Sequence, residues 1–164
     1  MKNTFKIILI SIFLILVLTS SYNDVSRLIG QEDVSADKIF SSMATDLQGD
    51  GYSFTIYKVD KNTIDKFVKD SLKVNYPIFD KKIDNLVHWK HTPFLNEDVF
   101  SIIFGQHTYN IKEVEQFATL RNALSEDLNY YAIAYSKSLT DIIELHFYLL
   151  DVRNEKLFSF DFYL

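Results

Sequence analysis

Hydrophobic and polar positions divide the chain into one unbroken apolar run followed by a series of short periodic segments. The run is Ile7–Leu18, twelve residues of which only Ser11 is polar. Lys2 and Lys6 precede it, Thr19, Ser20 and Ser21 follow it, and the first acidic residue is Asp24. A basic start, an apolar core of about 7–15 residues and a small-residue exit make the layout of an export signal. The basic end is retained inside, so the remainder is delivered across the membrane. Residues 1–21 are therefore expected to be a signal peptide cut after Ser21, or an N-terminal anchor holding the membrane through residues 7–18 if uncleaved. The apolar run is shorter than the roughly 20 residues of an ordinary spanning helix. The uncharged stretch Ile7–Asn23, at 17 residues, reaches only the bottom of that range. A lipid-modified cysteine is excluded, because the chain has no cysteine.

Beyond this segment, residues 22–34 have weak periodicity and read as a tether. Ser35 then has the character of an N-cap, with Ile39, Phe40, Met43, Ala44 and Leu47 on one helical face. Gln48-Gly49-Asp50-Gly51 turns the chain, and Tyr52–Val59 alternates as a strand. A helix capped by Asn62 carries the stripe Ile64, Phe67, Val68 and Leu72. Ile83, Leu86 and Val87 predict a short helix ending near Trp89, and Thr92-Pro93 a loop, since the residue before proline disfavours the α region. Asn96 starts a helix that presents Phe100, Ile103 and Phe104 inward and stops at Gly105. Ile111, Val114, Phe117, Ala118, Arg121 and Leu124 recur at helical spacing in another, with the Arg121 stem laid along the core edge.

The last third is extended. Tyr130–Tyr135, Ile142–Leu150 and Lys156–Leu164 form a three-strand meander with a hairpin turn at 151–155, and Phe158, Phe160, Phe162 and Leu164 share one face. The predicted fold class is α+β: a mainly antiparallel sheet, with one strand near 52–59 and the meander at 130–164, and helices packed on one face. Residues 35–164 are read as a single domain.

Composition narrows the function more than the fold. Removing residues 1–21 takes away Lys2 and Lys6, leaving 15 basic residues against 22 acidic, a net charge of −7 with histidines neutral. Nucleic acid and anionic membrane surfaces need clustered Lys and Arg to displace counterions, so neither is an expected partner of the folded part. An exported chain without cysteine must be held by its core alone, and the ten tyrosines and all but Phe5 and Phe13 of the fourteen phenylalanines, which lie beyond residue 21, supply the material. The absence of an Asn-x-Ser/Thr sequon and the scarcity of arginine (Arg27, Arg121 and Arg153) point to a bacterial source.

Candidate chemistry is sparse. His88, His91 and His107 could supply a metal site if they converged, but their spacing matches no zinc motif. Trp89 and Phe94, beside Pro93, could form the rim of a ligand pocket, or Trp89 could plug the core. Tyr131, Tyr135, Tyr148 and Tyr163 of the meander would make an aromatic binding face if they pointed away from the helices, and the final strand could be an edge open to a partner strand. Nucleophile elbows, phosphate loops and paired carboxylates in a recognisable frame are absent, so no cofactor and no catalytic residue is assigned. The expectation is an exported or membrane-anchored bacterial envelope module that binds a protein partner without catalysis. Its alternatives are an inhibitor or immunity-type protein against a basic toxin, a small exported metal-dependent hydrolase, and a ligand-binding protein.

Overall fold

The structure is a computed structural model that describes residues 25–31, 34–47, 49–70, 75–79, 83–105 and 111–164. The expected signal or anchor, residues 1–21, and His107 lie outside the described residues. The fold is α+β. Its strands are β1 (Ala36–Thr45), β2 (Gly51–Val59), β3 (Asn85–His91), β4 (Tyr130–Ser138), β5 (Asp141–Asp151) and β6 (Lys156–Tyr163). Its helices are α1 (Lys61–Lys69), α2 (Glu97–Gly105) and α3 (Ile111–Ser125), with a further helical turn at residues 25–29. The strands form one antiparallel sheet in the order β1-β2-β6-β5-β4-β3. Among the described residues no helix is long and apolar enough to cross a membrane.

Two segments expected to be helical are strands. Residues 36–45 form β1 and residues 85–91 form β3, the two edges of the sheet. Each carries a bulge, between Lys38 and Phe40 in β1 and between Val87 and Lys90 in β3. A bulge inserts a residue and breaks the two-residue alternation. Apolar residues of β1 thereby fall at spacings of three and four, which mimic a helix. The glycine turn after β1 closes a hairpin: the Asp46 N–H donates to the Asp50 carbonyl at 2.8 Å, and Gly49 adopts φ 96°. At Gly51 a side chain would collide with the Ala44 carbonyl of the facing strand. The final strand β6 lies between β2 and β5, so it is not an edge.

The sheet is covered on both faces, where helices on one face were expected. On the first face Tyr52, Phe54 and Ile56 of β2, Phe158 and Phe160 of β6, and Leu145, Phe147 and Leu149 of β5 pack under α2 and α3. Phe54 has no solvent exposure and stacks on Phe117 of α3 at 4.4 Å between ring centroids. The inward stripe of α3 is Glu113, Phe117, Leu120 and Leu124, which leaves Ile111 and Val114 in solvent. Arg121 lies over the Phe104 ring at 4.7 Å and the Phe100 ring at 5.4 Å, a cation–π arrangement that joins the two helices.

The second face carries Tyr57 and Val59 of β2, Tyr130 and Ala132 of β4, Tyr148 and Leu150 of β5, and Leu157 of β6. Ile64 and Phe67 of α1 cover it, together with Val25 and Ile29 of the helical turn and Val34. Val25, Leu28, Ile29 and Val34 of the segment read as a tether are thus packed in this layer. Asp60, rather than Asn62, caps α1: its carboxylate accepts the Thr63 N–H at 3.0 Å and the Thr63 hydroxyl. Asn96 caps α2 as expected, accepting the Val99 N–H at 3.1 Å.

Candidate functional site

Alternation along β5 and β6 sends His146 and Asp161 to the second face, beyond the part that α1 covers. They are directly opposed across the β5–β6 hairpin, as are Glu144 and Tyr163. His146 Nδ1 lies 2.6 Å from Asp161 Oδ1 and its Nε2 lies 2.9 Å from Glu144 Oε1. Ionised carboxylates only accept, so both contacts are hydrogen bonds only when both ring nitrogens carry protons, and the arrangement favours the imidazolium. Burial alone would lower its pKa, but the hydrogen bonds and charges of Asp161 and Glu144 outweigh that and raise it. Ser53 of β2 donates to Asp161 Oδ2 at 3.2 Å, and the Phe79 ring lies 5.2 Å from the imidazole. The Tyr163 phenol is pushed up to about 12, by burial first and then by the Asp161 and Glu144 charges.

Proton transfer to a substrate needs a ring nitrogen that can reach it. Here both nitrogens are held by carboxylates, and Ser53 bonds to the aspartate instead of to the histidine. The arrangement is a charge clamp that ties β2, β5 and β6 together.

A second site opens on the first face, at the end of the sheet where the β1–β2 and β4–β5 turns meet. A groove of about 840 Å³ lies there, with Tyr52, Ile142 and Phe162 as its apolar lining and Asp46, Asp50 and Asp141 as its charged one. The last turn of α2, at Ile102 and Gly105, borders it. The Asp50 N–H donates to Asp46 Oδ1 at 3.1 Å, which fixes the turn that carries both carboxylates. Behind the groove Glu113 is buried and accepts from the Ser42 hydroxyl and from the Tyr52 hydroxyl at 3.4 Å. Burial first, and the Glu113 charge next, raise the Tyr52 pKa.

The residues that the sequence offers as candidates are dispersed. Trp89 is buried in the second layer, where its indole N–H donates to the Leu28 carbonyl at 2.7 Å. Phe94 is buried in the first layer against Tyr131 and Phe147. The two therefore do not share a pocket. Tyr131 and Tyr135 pack on the first layer, Tyr148 in the second, and Tyr163 is 41% exposed beside the charge clamp. His88 and His91 are both on β3; His91 lies on the Tyr130 ring at 4.2 Å, and His88 Nδ1 is buried with no hydrogen bond among the described residues. No group of three or more His, Cys, Asp or Glu side chains among the described residues is placed to hold a metal.

Sequence reasoning missed Glu144, Asp161 and Ser53, and the groove carboxylates Asp46, Asp50 and Asp141. The pairing of His146 with Asp161 was within its reach, because counting back from the 151–155 turn aligns the two. The groove required the placement of β1, which its bulge concealed. Comparison with protein-family profiles, with curated proteins and with solved structures gives no match for this chain.

Proposed function

We propose that this protein is an exported or membrane-tethered module of the bacterial envelope that binds a protein partner through β1. One observation carries the binding part. β1 is a ten-residue strand with a single neighbour in the sheet among the described residues, and Ile39 and Met43 on it are 52% and 73% exposed. An open edge presents unpaired N–H and C=O groups that a partner strand can complete. Exposed apolar side chains on such an edge are an aggregation risk that proteins normally blunt with charge, and occupation by a partner removes it. The export part follows from Lys2, Lys6 and the Ile7–Leu18 run.

The test uses the full-length protein in its native cells, with a photo-crosslinking residue at position 43. A single stoichiometric partner crosslinked there, and lost from the Ile39→Lys/Met43→Lys variant, is the expected result. Crosslinking to nothing, or a partner that the variant still captures in full, overturns the reading. Protease added to intact spheroplasts should digest the folded part. Complete protection would overturn the export assignment.

A further inference from the structure

The phase of hydrogen bonding in the β1–β2 hairpin fixes which main-chain groups of β1 face outward. The Asp46 N–H donates to the Asp50 carbonyl at 2.8 Å, so these two form a hydrogen-bonded pair. Bonded and non-bonded pairs alternate along an antiparallel ladder, and the register runs unbroken from Thr45↔Gly51 to Phe40↔Ile56. Ala44, Ser42 and Phe40 therefore turn their N–H and C=O groups to β2, while Thr45, Met43 and Ser41 turn theirs away from it. The side chains of these three residues are exposed, Met43 at 73%. They alternate with Phe40, which packs in the first layer, and Ser42, which donates to Glu113 of α3.

We propose that the strand received at this edge is β1 of a second copy of this chain, antiparallel, about a two-fold axis at Met43. This rests on the protein-binding reading above and names its partner. The axis sets Met43 opposite Met43, and Ser41 opposite Thr45, of the second copy, so each outward pair exchanges both its main-chain bonds. An axis at Ser41 or Ser42 would run the pairing into the partner's bulge between Lys38 and Phe40. An axis at Ala44 would run Ser41 into the partner's hairpin turn. Ser41–Thr45 carries no charge, so the symmetry sets no like charges opposite one another, and a charged partner would find no counter-charge there. Met43, unbranched and adaptable, is covered by its own counterpart. A two-fold contact closes on itself, which ends the aggregation risk of the open edge. So short a strand contact buries well under the roughly 1,000 Å² of a stable interface, so the pairing is weak in dilute solution and gains from tethering both copies to one membrane. Both copies are acidic, with 15 basic and 22 acidic residues beyond residue 21. Added salt therefore strengthens this pairing by screening, whereas it would weaken the binding of a basic partner.

The chain has no cysteine, so an introduced one reports only on its own surroundings. Opposed Cα atoms of a hydrogen-bonded pair are about 5.5 Å apart, within the disulfide range of about 4.4–6.8 Å. Full-length Met43→Cys, oxidised in intact native cells, should be trapped as a dimer. Ser41→Cys should not, because its counterpart lies roughly 13 Å away along the strand, beyond disulfide reach. Thr45→Pro added to Met43→Cys removes an outward N–H and none that β1 gives to β2, a placement that edge strands tolerate, and should abolish the trapping. Unmodified full-length protein in a neutral detergent gives a reading free of substitutions. Amide exchange at Ser41, Met43 and Thr45 should slow as its concentration rises, and slow further with salt. No trapping through position 43, equal trapping through 41 and 43, or exchange at these amides that ignores concentration overturns the proposal. If the photo-crosslinker at position 43 captures a different protein and no second copy, the protein-binding reading stands and this assignment falls. If it captures nothing, both fall.

Discussion

The two faces of this sheet are built from the same strands on different principles. The first face is apolar along most of its length, with Phe54, Phe158 and Phe160 fully buried and two helices laid across it. The second face changes character midway: Tyr57 of β2, Tyr148 and Leu150 of β5 and Leu157 of β6 pack conventionally, then Ser53, His146 and Asp161 take over on the same strands. One layer is held by area removed from water, the other partly by directed polar contacts. Outside the buried Glu113, the first should therefore respond chiefly to side-chain volume, and the second to volume and to pH.

The largest expected effect tests the volume side. Phe54 contacts the rings of Phe40, Phe117, Phe158 and Phe160. Phe54→Ala should lower stability by about 3–5 kcal/mol, through lost transfer energy and a cavity its neighbours cannot close. Urea denaturation monitored by Trp89 fluorescence, which reports from the opposite layer, measures it. A loss below about 1 kcal/mol would mean that the first layer is loosely packed, and the contrast between the faces would fail.

Trp89→Phe comes next. It keeps an aromatic ring against Phe67, 5.3 Å away, but removes the N–H that satisfies the Leu28 carbonyl. An acceptor left buried without a partner costs about 1–3 kcal/mol. The loss should appear first as faster amide exchange in residues 25–31, because that bond ties the helical turn to β3. Unchanged exchange there would show that Val25 and Ile29 hold the turn by packing alone.

His146→Gln probes the polar half. The folded-state pKa of His146 is raised, so the charged imidazole stabilises the fold fully below its unfolded value, about 6.5. That contribution is lost as pH rises through the folded value. The variant should be less stable by about 1.5–3 kcal/mol near pH 5.5, the range for hydrogen bonds to charged groups, and the gap should narrow in alkali. A gap constant from pH 5.5 to pH 9 would mean that the histidine is neutral in the native state.

The same contrast explains what could be read from the sequence. β2, β4, β5 and β6 are interior strands buried on both sides, and burial on both sides keeps them rich in aromatic and β-branched residues, which made each visible as an extended run. β1 and β3 are edges, where one neighbour is missing, and at Ile39, Met43 and Leu86 the apolar side chains are exposed. With little burial to enforce a period and a bulge to shift it, their pattern resembled a helix. α3 was visible as an element, but its inward stripe was not, because the buried Glu113 belongs to it and the exposed Ile111 and Val114 do not. Polarity misreports position wherever a carboxylate is buried with partners, here Ser42 and Tyr52. The candidate groove was hidden for the same reason as β1, since Ala44, Thr45, Asp46 and Asp50 line it only once that strand is in place.

The smallest expected effect concerns α1, which covers the second face and is anchored by its cap. The sequence offered Asn62 for that role; in the fold Asp60 takes it, with a hydrogen bond to the Thr63 N–H at 3.0 Å. Asp60→Ala should cost about 0.5–2 kcal/mol, as loss of an N-cap does, whereas Asn62→Ala should be nearly neutral or slightly stabilising through helix propensity. The hydrogen bonds from Thr63 lower the Asp60 pKa. The cap's contribution is therefore complete above the unfolded value, about 3.9, and is lost as pH falls through the folded one. Asp60→Asn, which can still accept the Thr63 N–H, should retain most of the stability at neutral pH and shed that acid dependence. Thermal melts of the three variants at pH 7 and pH 3 separate the cases. If Asn62→Ala proves the more damaging substitution, Asp60 is not the cap, and the pH-dependent anchoring of the second layer reduces to His146 alone.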